Sequence, residues 1–256
     1  MLIRTLQWNI GGGKIRNTTD DPRDASKYIQ EGLPHIIELI RNISADIITL
    51  QETHANEKSS QAARICREAG FPHVVNDQYD ASHLEDGQSL CQSVLSKFPL
   101  ENHTFQNFYN PKFTTVRPDG AEWISHNKGV TACEVVLTNT SHLFLQTLHV
   151  IPFAKFGIAL DDARARRVLD DVEEKLAAQK SPALLQGDFN IEDVQRYLPK
   201  IGADFDEVFL SDATTPWKTK TDHVLYRELS LKTSRPIKDV LTDHYPLYCE
   251  FDIAEK

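Results

Sequence analysis

Apolar and polar residues follow two different periods along this chain. Leu33, Ile36, Ile37, Ile40 and Ile43 recur at helical spacing, and Ala165, Val168, Leu169, Val172 and Leu176 repeat the pattern. Both stretches are therefore predicted to be amphipathic helices. A third helix is predicted over residues 58–69, stopped by Gly70 with Pro72 beyond it. Strand patterns are more numerous: 2–9, 46–51, 72–76, 91–96, 129–137, 142–150, 182–187, 206–210, 222–227 and 245–253. In the last of these Leu247, Cys249 and Phe251 share one face, the period-2 mark of a half-buried strand. Many strands with few helices predict an α+β fold, a layered sandwich of two packed central sheets flanked by helices. With no internal repeat, low-complexity stretch or linker, residues 1–256 are expected to form a single domain. Residues 11–32 and 105–127 show no clear period. The second stretch is rich in aromatics (Phe105, Phe108, Tyr109, Phe113 and Trp123), and loops of that length in a compact domain tend to be functional or mobile.

Six polar motifs sit where apolar runs end: Asn9, Gln51-Glu52, His149, Gly187-Asp188-Phe189-Asn190, Asp222 and Asp243-His244. Strands that end in carboxylates, amides and imidazoles bring separated residues to one edge of a sheet. Carboxylate oxygens suit Mg²⁺, imidazole suits a phosphoryl oxygen or a proton, and an amide suits orientation. The strongest single motif is the third last. Asp188 there is placed to orient or deprotonate a water, and Asn190 to donate to a phosphoryl oxygen; the competing reading is an Asx turn that caps a following helix. Glu52 at a strand tip suits a Mg²⁺ ligand or a merely solvated end. Asp243-His244 pairs an acid with a base, and Asp222 in a separate strand is a candidate to hold that imidazole in one tautomer. A lone histidine at a strand terminus, such as His149, is more often structural.

Composition narrows the field. Hydrophobic content of 40% and charged content of 25% are ordinary for a globular protein, and there is no apolar run of about 18 residues that would suggest a membrane span. The strand pattern begins at residue 2, which leaves no room for a cleavable signal, so triplets such as Asn17-Thr18-Thr19 carry little weight. Cys66, Cys91, Cys133 and Cys249 lack any C-x-x-C pairing and read as reduced core thiols in a cytoplasmic protein. The net charge of −9 argues against a sequence-independent DNA binder with a basic footprint, although acids gathered for a metal lower the net charge without repelling phosphate once an ion is bound. Gly11-Gly12-Gly13-Lys14 lacks the spacing and hydroxyl residue of a phosphate loop. His35, His54, His73, His83, His103, His126, His142 and His223 are read as surface or packing residues, and Arg164, Arg166 and Arg167 as a solvated helix face.

The order of the motifs carries more than any one of them. WNI, LQET, LSKFPL, LHV, QGDFN, TDHVLY and TDHYPL together resemble the endonuclease/exonuclease/phosphatase superfamily, also called deoxyribonuclease I-like, from Leu2 to Phe251. The resemblance implies a four-layered α/β sandwich and Mg²⁺-dependent in-line hydrolysis of a phosphoester by water, with Mn²⁺ able to substitute and no covalent intermediate. It implies Glu52 as principal metal ligand with Asn9 nearby and Asp243 assisting. It implies Asp188 as the residue that positions or deprotonates water, Asn190 as a phosphoryl contact, His244 as a phosphate contact oriented by Asp222, and His149 as the strand-end histidine of the deoxyribonuclease and sphingomyelinase branches. Two departures stand out. Gly11 occupies a position where members often have Asp, and Cys91-Gln92 and Lys97 replace the frequent Gly-Asn and Arg around the third motif.

Three functions compete. The first is a phosphodiesterase or nuclease on DNA, RNA or a nucleotide-containing ester, with the 105–123 aromatics available to stack bases. The second is a phosphatase or phosphodiesterase on a small or lipid-linked phosphate, for which the acidic charge speaks; no W-C-D-R segment of the inositol phosphatase type is present. The third is a non-catalytic phosphate-binding module that keeps the fold.

Overall fold

The computed structural model describes residues 1–117, 120–176 and 181–254. Its main strands are β1 (Leu2–Asn9), β2 (Ile47–Ala55), β3 (His73–Ala81), β4 (Ser89–Ser96), β5 (Leu100–Asn107), β6 (Gly129–Val136), β7 (His142–His149), β8 (Ala183–Asp188), β9 (Asp206–Glu207), β10 (Asp222–Arg227), β11 (Ser230–Pro236) and β12 (Leu247–Asp252). They form two six-stranded sheets, ordered β11-β12-β1-β2-β4-β3 and β9-β10-β8-β7-β6-β5. Each is mixed: β1 runs parallel to β2 and β7 parallel to β8, and the other pairings are antiparallel.

Strand alternation explains why the sheets stack. In β1, Leu6 and Trp8 point to one face and Ile3 to the other. The first face packs on helices α1 (Leu33–Ile43) and α2 (Gln61–Ala69), through Ile36, Ile37, Ile40 and Ile65. The second meets the other sheet through Ile3, Ile47, Val94, Cys133, Leu145, Leu184, Cys249 and Phe251. The outer face of the second sheet is covered by α3 (Ala163–Leu176), using Ala165, Val168, Leu169 and Val172, and by the short helices α4 (Val194–Tyr197) and α5 (Pro199–Asp204). The result is a four-layered α/β sandwich. The Cys66, Cys91, Cys133 and Cys249 thiols are free and buried.

Helix ends follow local chemistry. The hydroxyl of Ser60 accepts from the amide of Ala63, so α2 starts at Gln61 rather than at 58, and Gly70 in the left-handed conformation closes it. Most of the strands misjudged in sequence lie at sheet edges; the interior β2 is the exception, running on past the expected 51 to Ala55. β5 and β11 were not predicted, β9 shrinks from 206–210 to two residues, and β3 runs on to Ala81. Edge strands expose much of both faces, so the period-2 apolar signal fades there: β5 reads LENHTFQN and is mostly exposed. The 105–127 stretch is not one loop. Its first three residues finish β5, and Thr114–Val116 pairs with Glu122–Ile124 in a small ribbon; residues 118 and 119 lie outside those described. Phe108 and Phe113 are core residues. The 11–32 stretch opens with a short turn at Gly11–Gly13 and pairs Lys14–Ile15 with Gln30–Glu31.

Candidate active site

At one end of the sandwich the layer between the sheets turns polar. The inward positions after Ile3 are Thr5, Gln7 and Asn9, and Thr49, Gln51, Gln92, Thr131, Thr147, Gln186 and Asp222 join them, all buried. The amides tie the strands together. Gln7 Nε2 donates to Gln51 Oε1 at 2.7 Å and to Asp222 Oδ1 at 3.1 Å; Gln51 Nε2 donates to Thr147 Oγ1 at 2.9 Å; Gln186 Nε2 donates to Thr49 Oγ1 at 2.8 Å. Sequence reading passed over this lattice, because buried Thr and Gln at alternate positions look like the solvated side of a strand.

The motif residues collect where that polar layer opens to solvent, in a cleft of about 1000 Å³. Asp188 is the last residue of β8, opposite both His149 and Asp222 in the ladder. The strand before it requires glycine, since a Cβ at Gly187 would lie 2.1 Å from the carbonyl oxygen of Leu148. The Asp188 carboxylate accepts from Asn9 Nδ2 at 3.0 Å and from the backbone amide of Asn190 at 3.0 Å. Nε2 of His149 lies 3.3 Å away and Nε2 of His244 3.9 Å away. Burial, then the neighbouring Asp222, push its pKa up to about 7 against the pull of His244.

The two histidines take opposite charge states. His244 Nδ1 is 2.8 Å from Asp222 Oδ2. Burial works against its charge, but Asp222 and then Asp188 outweigh that and hold its pKa well above the ordinary value, so it is an imidazolium. His149 is driven well below its ordinary value by burial and then by Lys128. The Lys128 ammonium lies 2.9 Å from Nδ1 and 3.2 Å from Nε2 of His149, and the Tyr79 hydroxyl also approaches Nδ1, at 3.4 Å. Nε2 faces the carboxylates of Asp188 at 3.3 Å and Glu52 at 3.9 Å, an environment that favours Nδ1 as acceptor and the ring proton on Nε2.

Lys128, immediately before β6, was missed in sequence. It is buried, lies 3.4 Å from Glu52 Oε1, and sits 5.0 Å over the ring of Tyr79. Only its position before a strand that begins with Gly129 could have drawn notice, and that signal is slight. Glu52 itself does not stand at a strand tip as expected. β2 continues past it to Ala55, and the pairing with β4 shifts between Gln51 and Thr53, so Glu52 is the extra residue of a bulge at φ 55°. The left-handed conformation is strained for glutamate and turns its side chain into the cleft. Burial pushes its carboxyl up, but the Lys128 ammonium, the largest opposing influence, helps hold it well below the usual range.

Asn190 differs from its expected role in one respect. It occupies the left-handed region at φ 51°, its side-chain Nδ2 donates to the carbonyl of Val150 at 2.9 Å, and the residue lines the cleft. Asp243 stands beside Gly11, whose φ is 52° and where a Cβ would meet Asp243 Oδ1 at 3.0 Å. An aspartate at position 11 would crowd that carboxylate. Among the histidines read as packing or surface residues, His83 and His126 instead line the cleft, while His223 is buried between Glu207 and the carbonyl of Ile191.

Asp188, Asp222 and His244 form a group whose ligand atoms all lie within 4.8 Å of one another; its closest pair is the Asp222–His244 hydrogen bond. The set named from sequence for metal, Asn9, Glu52 and Asp243, lines the same cleft. Their donors are oxygens, and Asp243 Oδ1 is buried without a hydrogen-bond partner among the described residues. Burial raises the Asp243 pKa further. A carboxylate left so is suited to a hard cation such as Mg²⁺, so the residues present fit the ion.

The fold is two stacked sheets with acids, amides and imidazoles gathered at one edge. The family profile described as the endonuclease/exonuclease/phosphatase family matches residues 6–244, and the chain belongs to that family of phosphoester hydrolases. It is 28% identical over 193 residues to a UPF0294 protein of Vibrio campbellii (strain ATCC BAA-1116), a match that takes in 72% of this chain and 62% of that protein, so the chain spans less than two thirds of this curated relative. Among solved structures, an endonuclease/exonuclease/phosphatase from Beutenbergia cavernae DSM 12333 superposes with a TM-score of 0.74 at 14% identity, covering 99% of this chain and 72% of that one. ANGEL2, a 2′,3′-cyclic phosphatase in complex with adenosine-2′,3′-vanadate, gives 0.67 at 13% identity over 98% and 95% of the two chains. At these identities the likeness speaks for the fold. Among the described residues no helix is long and apolar enough to cross a membrane.

Proposed function

We propose that the chain, as a single domain, is a Mg²⁺-dependent phosphoester hydrolase that accepts Mn²⁺, and that its substrate is a phosphodiester of a nucleic acid or a nucleotide-containing ester. The observation that carries this reading is the setting of Asp188: a buried carboxyl with a pKa of about 7, between a neutral His149 and a charged His244. Such a group takes a proton from water near neutral pH and releases it afterwards. His244, fixed by Asp222, presents a positive Nε2–H to a phosphoryl oxygen. His149 offers a second, neutral donor, and the side-chain amide of Asn190 a third, so charge that grows on the phosphoryl group meets donors already in place. Asn9, Glu52 and Asp243 would hold the ion, which when bound neutralises phosphoryl charge and lowers the pKa of water. ANGEL2, a 2′,3′-cyclic phosphatase bound to adenosine-2′,3′-vanadate, supports the substrate class. The buried free thiols support a reducing, cytoplasmic setting.

Labelled oligonucleotides, offered in single- and double-stranded form with Mg²⁺, should be cut in at least one of the two forms, and chelation should abolish the cutting. No cleavage above a Glu52→Ala control would sink the nuclease version. The net charge of −9 favours a second reading, a small-molecule or lipid-linked phosphate, for which release of phosphate from a metabolite panel beside inert oligonucleotides is the sign. A binding module without catalysis would show phosphate binding and no turnover of either class.

A further inference from the structure

Two aromatic walls line the same cleft, and the catalytic residues do not account for either. On the Glu52 side, His83 and His126 stack with ring centroids 4.8 Å apart and planes 26° from parallel. Trp123 continues the wall 5.6 Å from His83 and 5.0 Å from Phe156, and its indole N–H donates to His126 Nε2 at 3.3 Å. Nδ1 of His83 is buried and has no hydrogen-bond partner among the described residues. Burial brings His83 down to about 4 and lowers His126 as well, so both imidazoles are biased to the neutral form. The one guanidinium against these rings among the described residues, Arg117, lies 5.7 Å over Trp123. Stacked rings of this kind suit a flat ring better than a phosphate. On the Asp243 side, Tyr28 and Trp217 lie 6.1 Å apart. Both are pinned by backbone carbonyls: Trp217 Nε1 donates to Arg23 at 2.8 Å and Tyr28 Oη to Pro22 at 2.6 Å. Trp217 stays 39% exposed although it is large and apolar. All six rings line the cleft, with Asp188 and His244 lining it as well.

An exposed tryptophan held rigid by its own N–H is a stacking surface prepared in advance, because the ordering cost of a mobile side chain is already met. A monoester needs one such surface at most. We infer that the cleft binds a phosphodiester carrying a planar ring on each side of the scissile phosphate, as in one dinucleotide step with its two bases splayed apart, one on the His83–His126–Trp123 wall and the other on Trp217 and Tyr28. This inference rests on the diester reading above and adds its geometry. Both a free dinucleotide and a step within a single strand carry this chemistry. A duplex keeps its bases stacked on one another and cannot offer it.

The test uses the full chain with Mg²⁺ and four dinucleoside monophosphates: both bases present, either base replaced by hydrogen, or both. Removing either base should raise KM about tenfold, the scale of one base–aromatic stack. Trp217→Ala and Trp123→Ala should each raise KM on the intact dinucleotide by a similar factor. The loss from each tryptophan should not add to the loss from one particular base, since both remove the same contact. Trp123→Phe keeps a ring and should recover most of the Trp123→Ala loss, which separates stacking from misfolding. Equal KM for all four substrates, or losses that add for every pairing, would overturn the two-wall geometry while leaving the diesterase intact. No hydrolysis of any of the four would overturn both. Tighter KM for an oligonucleotide than for the dinucleotide would identify a strand as the source, and equal KM a free dinucleotide.

Discussion

The two ends of the layer between the sheets are built from the same strands and the same inward-facing positions, yet they do opposite things. At one end Ile3, Ile47, Leu145, Leu184 and Phe251 bury apolar surface and hold the sheets together. Two or four residues along the same strands, Thr5, Gln7, Thr49, Gln51, Thr147 and Gln186 give up that gain for hydrogen bonds that fix the acids and imidazoles of the cleft. One end is made for cohesion and the other for placement. A buried carboxyl such as Asp188, raised to about 7, is tolerated only because its neighbours are held this firmly.

Substitutions should separate the two ends. The largest effect is expected from Asp188→Asn, which should lower kcat by about 10²- to 10⁴-fold, the usual worth of a positioned general base. Stability should move the other way. The folded protein binds the Asp188 proton up to about 7 and the unfolded chain only to 3.8, so ionisation erodes stability as pH rises through that window. Asn removes that loss, and the metal-free variant should melt no lower than the parent at pH 7. Leu145→Ala, in the apolar end, should cost about 2–5 kcal/mol in urea unfolding while kcat of the folded protein holds. A variant that damaged both properties equally would erase the distinction between the ends. Gln7→Leu should cost about 1–3 kcal/mol, because it leaves Asp222 and Gln51 short of a donor; it should also lower kcat more than it raises KM, through a less firmly held His244. The smallest effect is expected at Thr5, whose buried hydroxyl finds no partner among the described residues. Thr5→Val should leave stability unchanged or raise it by up to about 1 kcal/mol in the same unfolding measurement.

Much of the site could be read from the chain because strands deliver their last residues to a common edge. Asn9, His149, Asp188 and Asp222 stand at strand ends in the ladder, and the Asp222–His244 hydrogen bond joins two motifs that lie far apart in sequence. What escaped notice lay where local pattern and final environment part. Glu52 looked like a strand tip, but a bulge places it mid-strand. Lys128 belongs to no motif in the sequence, and only the fold buries it against Glu52 and His149. The aromatics of 105–127 looked like one stacking loop; Phe108 and Phe113 went to the core, and Trp123 and its near neighbour His126 joined His83 from elsewhere in the chain.

By itself the sequence determined the alternation of strands and helices, the inward and outward faces, and which polar side chains arrive at strand ends, because those follow from periods of 2 and 3.6 residues that any local window contains. Only the tertiary structure decided the charge states of His149, His244 and Asp188, the amide lattice beneath them, and the two aromatic walls. Each of those depends on burial and on the distance between residues far apart in the chain, which no local pattern encodes.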